Sequence, residues 1–136
     1  MNIEPYLFFE GRCEEALEFY KQAIGAEIGM LMRYKDSPEP PHPDTPAGSE
    51  NKVMHCSFRI GDSTLMASDG ACNGRPGFQG FALSLNLKTG AEADKAFAAL
   101  SAGGSVTQPL IQTFFSPRFG MLTDKFGMGW MIHVVA

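Results

Sequence analysis

Hydrophobic and polar positions alternate with two different periods along the first half of the chain. Stretches rich in β-branched and aromatic residues predict strands. After the first predicted strand, apolar residues recur at helical spacing. Glu14 and Glu15 precede them and suit the positive end of a helix dipole, and Gly25 ends the pattern. The predicted elements are a strand at 3–9, a helix at 14–24, a strand at 26–34, and a hairpin of strands 53–60 and 63–69.

The same order of elements begins again after a glycine-rich segment at 69–80. At a spacing of 78, Glu14 corresponds to Glu92 and Gly25 to Gly103. The predicted elements of this half are a strand at 81–87, a helix at 91–102, a strand at 105–115, and a hairpin of strands 119–124 and 128–135. Two βαβββ modules, about 1–70 and 78–136, are therefore predicted to form a single α+β domain over residues 1–136. Because neither module covers its own sheet, we expect them to pair, within one chain or across a dimer.

Composition narrows the class of protein. With 44% hydrophobic and 19% charged residues among 136, the chain is not a disordered one. It has no apolar run that suits a membrane span and no leader-like start, and its net charge of −4 argues against a nucleic-acid surface. Its three cysteines lack metal-type spacing and leave one unpaired in any disulfide scheme, so we expect reduced thiols and a cytoplasmic protein.

Three segments and one strand carry a family resemblance that covers nearly the whole chain. The segments are PYLFFEGRCEEALEFYKQAIGAE (5–27), MHCSFRIGDSTLMASD (54–69) and QTFFSPRFGMLTDKFGMGWMIHV (112–134), and the strand is GFALSLNL (80–87). They resemble the PhnB-like branch of the vicinal-oxygen-chelate superfamily, which includes glyoxalase I, bleomycin- and fosfomycin-resistance proteins and extradiol dioxygenases. The resemblance implies a homodimer, and paired modules whose sheets curl into a cup that holds a divalent metal through His, Glu, Gln or Tyr side chains.

The positions that correspond to those metal ligands carry no hard donor in this chain. They fall on Pro5, on Met66 or Ala67, on Gly80 or Phe81, and on Met131. Thioether sulfur is a poor ligand for Mn or Mg, and the other side chains offer no donor atom. We therefore expect no metal and no other cofactor.

Alternation along three strands assigns the side chains that would line the cup. Cys56 and Phe58 are assigned to the core, as are Trp130 and Ile132, and the residues between them face the other way. The predicted ligand-binding residues, with one aromatic residue added for contact with an apolar ligand, are His55, Ser57, Arg59, Ser84, Asn86, Phe115, Met131 and His133.

Each of these residue types has a functional and a structural interpretation. A histidine can act as acid or base, and an arginine can hold a carboxylate or phosphonate through two parallel hydrogen bonds. Alternatively, His55 is a hydrogen-bonded structural histidine, and Arg59 pairs with Asp62 or Asp69. His42, in the proline-rich segment 35–51, is predicted to lie in solvent within a surface loop.

The preferred function is a PhnB-like small-molecule binding protein that lacks the usual catalytic metal and takes an anionic or aromatic ligand. The alternative is a divergent metal-dependent lyase or dioxygenase that uses His55 or His133 with Asp69 or Glu50; a dimeric interaction module is the third. Relatives in this branch also carry a demethylubiquinone-methyltransferase label. The chain lacks the strand, glycine-rich turn and helix that a nucleoside-cofactor domain uses, so we do not expect that chemistry.

Overall fold

The computed structural model describes residues 1–40, 43 and 45–136. It divides the chain into two compact units, Met1–Pro76 and Gly77–Ala136. Each unit contains one four-stranded sheet and one long helix, so the predicted α+β class is confirmed. That the two units act as one domain stays a prediction.

The first unit has the predicted order of one strand, one helix and three strands. Its elements are β1 (Tyr6–Phe8), α1 (Cys13–Ile24), β2 (Glu27–Arg33), β3 (Val53–Ile60) and β4 (Ser63–Ser68), with a 3-10 turn at Tyr34–Asp36. The strand order is β1-β4-β3-β2. β1 runs parallel to β4, and the other neighbours are antiparallel.

One face of this sheet is covered by α1, and the side chains between them form the core. Leu7 of β1 and Phe9, directly after that strand, are buried together with Leu17 and Tyr20 of the helix and Phe58 of β3. Gly25 ends the helix in a left-handed conformation with φ 71°, which favours glycine. The buried thiols of Cys13 and Cys56 also lie here, with their sulfur atoms 3.8 Å apart, and all three cysteines are free.

A buried carboxylate joins three parts of the first unit. Asp69 is 1% exposed. Its Oδ1 accepts hydrogen bonds from the backbone N–H of Gly11 at 2.9 Å and of Cys13 at 2.8 Å, and its Oδ2 accepts one from Val53 at 2.6 Å. These bonds tie the end of β4 to the start of α1 and to the start of β3, which places the hairpin under the helix.

The second unit repeats the arrangement. Its elements are β5 (Leu83–Leu87), α2 (Gly90–Ser101), β6 (Ser105–Ile111), β7 (Phe119–Thr123) and β8 (Gly129–Val134), in the order β5-β8-β7-β6. β5 and β8 are parallel. Thr89 caps α2, because its hydroxyl oxygen accepts a hydrogen bond from the N–H of Glu92 at 3.1 Å. Leu100 of the helix is buried, and so are Leu122 and Ile132 on the face of the sheet that the helix covers.

Asp124 organises the turn between β7 and β8. It is 2% exposed and accepts hydrogen bonds from the backbone N–H groups of Phe126 at 2.9 Å and Met128 at 3.1 Å. Its other oxygen accepts one from the indole N–H of Trp130 at 2.9 Å. The turn predicted at 125–127 is therefore fixed by the side chain of the residue between β7 and that turn.

Two predicted strands exceed the observed ones by four residues each. The strand predicted at 105–115 ends at Ile111, because the Thr113 hydroxyl accepts hydrogen bonds from the N–H groups of Phe115 and Ser116 and turns the chain there. The strand predicted at 3–9 is Tyr6–Phe8, and Glu10 follows it with φ 53°, a conformation that strands do not use. Within the described part of the chain, neither helix is long and apolar enough to cross a membrane.

Candidate ligand-binding site

Each sheet has a face opposite its helix, which we call the open face. On β3, Cys56 and Phe58 are buried, as the alternation predicts, while His55 and Ser57 are half-buried and Arg59 is exposed. The three predicted lining residues of this strand therefore lie on the first open face. His42 lies outside the described residues.

His55 is held by an aromatic neighbour that the sequence did not single out. Its Nδ1 lies 2.9 Å from the hydroxyl of Tyr6, and the two ring centroids are 5.5 Å apart. Phe8 extends the cluster, with its centroid 4.9 Å from that of Tyr6 and half of its surface exposed. The first strand is apolar on both faces, so alternation alone gave no orientation for Tyr6 and Phe8.

Arg59 lies near the hairpin turn of the first sheet. Its guanidinium donates to the carbonyl oxygen of Gly61 at 3.4 Å, and its register neighbours are Glu27 and Thr64. Arg59 does not form the ion pair with Asp62 or Asp69 that was one interpretation of the sequence, and all three residues lie in the described part of the chain. Asp69 already accepts three backbone hydrogen bonds.

The second open face brings together all five predicted residues of that unit. Asn86 and His133 are register partners, as are Ser84 and Met131. The Asn86 Oδ1 atom lies 3.1 Å from Nδ1 of His133 and accepts a hydrogen bond from the Ser84 hydroxyl at 3.3 Å. The ring of Phe115 lies 6.1 Å from that of His133. The Ser84 hydroxyl, the Asn86 amide and the His133 imidazole therefore form a hydrogen-bonded line.

Aromatic rings border this line. Phe119 lies 6.3 Å from His133 and 5.1 Å from Phe115, measured between centroids, and Phe114 lies edge-on to Phe115. Phe114 is fully exposed and Phe115 is 46% exposed. Sequence reasoning missed Phe119, although the alternation of β7, with Gly120 and Leu122 buried, places it on the open face.

Among the positions that correspond to superfamily metal ligands, Met66 and Met131 occupy equivalent places in the two units. Met66 pairs with Tyr6 across β4 and β1, and Met131 pairs with Ser84 across β8 and β5. Pro5 precedes β1, and Gly80 and Phe81 precede β5. Neither the thioether and phenol of the first unit nor the thioether and hydroxyl of the second make the hard nitrogen and carboxylate set that a divalent metal needs. The residues present therefore do not fit the superfamily's metal.

The two carboxylates named for the alternative enzyme do not complete such a set. Asp69 is committed to backbone N–H groups, and Glu50 is exposed. Among the residues that the structure describes, no cluster of three or more His, Cys, Asp or Glu side chains is suited to a metal ion.

The environment of Tyr6 predicts a loss of stability in alkaline solution. Burial raises the pKa of the Tyr6 phenol, and a hydrogen bond with Ser68 partly offsets this effect. The folded protein therefore keeps a proton that the unfolded chain loses at pH about 10. The stabilisation that this proton gives is complete below pH about 10 and is lost as the pH rises through the pKa of the Tyr6 phenol in the folded protein. We expect the urea midpoint to fall above pH 10 more steeply in the wild type than in Tyr6→Phe; parallel curves for the two proteins would contradict this.

Comparisons with known proteins agree with the resemblance seen in the sequence. Residues 1–133 match the family described as 3-demethylubiquinone-9 3-methyltransferase. Protein YjdN of Escherichia coli K12 is 33% identical and is similar over 99% of this chain and 96% of its own. Protein PA1353 from Pseudomonas aeruginosa, a solved structure, is 40% identical with a TM-score of 0.85, over 99% of this chain and 98% of its own.

A PhnB protein from Bacillus cereus, whose name carries the same methyltransferase description, is 30% identical with a TM-score of 0.81 and covers 99% of this chain and 100% of its own. The fosfomycin resistance protein FosX from Listeria monocytogenes is 11% identical with a TM-score of 0.66, over 100% of this chain and 93% of its own, a likeness of fold alone. The predicted resemblance is confirmed. The chain belongs to the PhnB-like family described as 3-demethylubiquinone-9 3-methyltransferase, and its fold is that of the vicinal-oxygen-chelate superfamily.

Proposed function

We propose that the protein binds a small organic ligand, anionic or aromatic, without a catalytic metal. The observation that carries this proposal is the second open face, where Ser84, Asn86 and His133 form a hydrogen-bonded line beside the rings of Phe115 and Phe119. Small-molecule sites combine apolar and aromatic surface with a few polar groups that set orientation. Exposed aromatic side chains next to an imidazole meet that description.

The first open face supports the same function with different side chains. His55, Tyr6 and Phe8 form a second aromatic and imidazole cluster, and the Arg59 guanidinium lies on the same strand as His55. A guanidinium carries a fixed positive charge, so it favours a negatively charged group over a dication. Arg59 is solvent-exposed, so its contribution to an anionic ligand is screened.

Binding is favoured over the methyl transfer that the family's description names. A methyl donor of the nucleoside type is usually held where a parallel strand passes through a glycine-rich turn into a helix. In this chain the segment between β1 and α1 is Phe9 to Arg12, and its Gly11 N–H donates to Asp69. The Asp69 carboxylate therefore accepts the Gly11 hydrogen bond that an oxygen atom of a bound cofactor would otherwise accept, which argues against a methyl-donor site here.

We further propose that the protein is a homodimer in the cytoplasm. The exposed side chains of Ile28 and Met30 on the edge strand β2 offer apolar surface for a second copy. Three free cysteines suit a reducing compartment.

Ring contact on the second open face predicts how ligand affinity responds to mutation. We expect benzoate and phenol, two small ring-bearing probes, to bind, and Phe115→Ala to weaken each about fivefold, since an aromatic pair contributes about 1 kcal/mol. Phe81→Ala is the matched control, because Phe81 is also half-exposed but its ring contacts Phe78 instead. Chemical-shift titration gives the affinities. Equal losses in the two variants would contradict the proposal.

The donor set predicts that divalent metals do not stabilise the protein. A species that binds only the native state raises the melting temperature, so Mn²⁺ or Ni²⁺ without a site leaves it unchanged. We expect the same thermal midpoint for chelator-treated protein with and without either metal. A large metal-dependent rise that is abolished by His55→Ala or His133→Ala would instead support a divergent metal-dependent lyase or dioxygenase.

A further inference from the structure

His133 and His55 both use Nδ1 for a hydrogen bond, but of the two partners only that of His133 is a pure acceptor. Nδ1 of His133 lies 3.1 Å from Oδ1 of Asn86. An amide oxygen can only accept a hydrogen bond, so Nδ1 of His133 carries the proton. The lone pair of the neutral ring is then on Nε2, which becomes a hydrogen-bond acceptor.

The backbone holds Asn86 and His133 in this relation. They are direct register partners on two parallel strands, β5 at the edge of the second sheet and β8 in its interior. The Ser84 hydroxyl, two residues earlier on β5, donates to the same amide oxygen at 3.3 Å. The Asn86 oxygen therefore accepts from both neighbours, which requires that Nδ1 of His133 keep its proton.

His55 differs because its partner is a hydroxyl group, which can both donate and accept. The Tyr6 hydroxyl lies 2.9 Å from Nδ1 of His55 and fits that nitrogen with or without a proton. This contact therefore does not set the protonated nitrogen of His55, and the ring serves as the comparison for His133.

We propose that Asn86 is a positioning residue that makes Nε2 of His133 an acceptor, so that the second open face selects flat aromatic ligands with an O–H or N–H donor. This inference rests on the proposed binding function and names its ligand class. The ring of such a ligand contacts Phe115 and Phe119, and its donor meets Nε2. A ring that lacks the donor covers Nε2 without a partner, which costs the desolvation of that nitrogen.

Long-range ¹H–¹⁵N correlation spectra of the whole chain, labelled with ¹⁵N-histidine, test the first step. Signals are assigned with His133→Gln and His55→Gln. We expect the Nδ1–H form for His133, and His55 is read in the same sample for comparison. Asn86→Leu removes the acceptor and should return His133 to the Nε2–H form, while Asn86→Asp keeps an acceptor and the Nδ1–H form. An Nε2–H form of His133 in the wild type would overturn the inference.

Two pairs of probes test the ligand class and separate its two sources. Phenol and anisole differ in an O–H donor, and indole and 1-methylindole differ in an N–H donor. One net hydrogen bond predicts that each donor probe binds about fivefold more tightly than its methylated partner, and that Asn86→Leu brings the ratio to about one. A preference in one pair only identifies the source as hydroxyl or N–H.

The outcomes distinguish this inference from the function on which it rests. Equal affinities within both pairs would overturn the selection for donors, while binding itself would still support a small-molecule function. No binding of any of the four rings would contradict the proposed function and the ligand class together. The protonation of His133 is read from the spectra in either case.

Discussion

Replacing Asp69 with alanine is expected to lower the free energy of unfolding of the first unit by about 3 kcal/mol or more. The carboxylate is buried and accepts hydrogen bonds from the N–H groups of Gly11, Cys13 and Val53. Alanine leaves these donors without the acceptor, and each unsatisfied buried group costs about 1–3 kcal/mol. Urea unfolding followed by circular dichroism measures the loss, and amide exchange should accelerate at Cys13 and Val53 above all.

Asp62→Ala is the matched control for this experiment. Asp62 is an exposed aspartate in the turn between β3 and β4, so its removal is expected to change stability by less than about 0.5 kcal/mol. If Asp69→Ala were as mild as Asp62→Ala, the three hydrogen bonds would not hold the unit together as described. Asp69→Asn should fall between the two, because one oxygen remains.

Gly104→Ala is expected to destabilise the second unit by about 3 kcal/mol, the upper range for overpacking. A Cβ atom at this position would lie 2.1 Å from the carbonyl oxygen of Thr123 and 2.8 Å from the carbonyl carbon of Asp124. Both are backbone atoms of the neighbouring strand and turn, so neither can move aside as a flexible side chain would. The single tryptophan, Trp130, lies in this unit, and its fluorescence during urea unfolding reports the change.

Gly77→Ala provides the comparison, because a Cβ there meets no atom within 4 Å and the backbone does not require glycine. We expect its stability to stay within about 0.5 kcal/mol of the wild type. A Gly104→Ala protein that unfolds at the same urea concentration as Gly77→Ala would contradict the close approach of Gly104 to Thr123 and Asp124.

The helices and hairpins were predictable because their signals are local. Glu14 lies in the first turn of the helix observed at Cys13–Ile24, and Gly25 lies directly after its last turn. The strand predicted at 53–60 is observed with the same bounds. Alternation also placed Trp130 and Ile132 in the core and left Met131 and His133 on the opposite face. Each of these assignments depends on residues within one turn or one strand of each other.

The site was only partly predictable because its contacts join distant strands. Tyr6 reaches His55 through a parallel pairing in which residue 6 lies beside residue 66, and no short-range pattern encodes that register. The function of Asp69 was also missed: a carboxylate after a strand suggested a ligand or an ion-pair partner, whereas its oxygens accept backbone N–H groups. Which buried donors a carboxylate will meet depends on the packed structure and not on the neighbouring residues.

The parallel strand pairs have a consequence for how the protein folds during synthesis. In each unit the first strand pairs with the last, and β8 lies between β5 and β7 in the interior of the second sheet. Hairpins form within microseconds of leaving the ribosome, but a parallel partner waits for the rest of its unit. The first sheet is complete once Ser68 has emerged, whereas β5 stays without its neighbour until Gly129–Val134 is free. The nascent chain therefore holds a finished first unit and an unpaired, apolar β5 for most of the time that the second unit takes to translate.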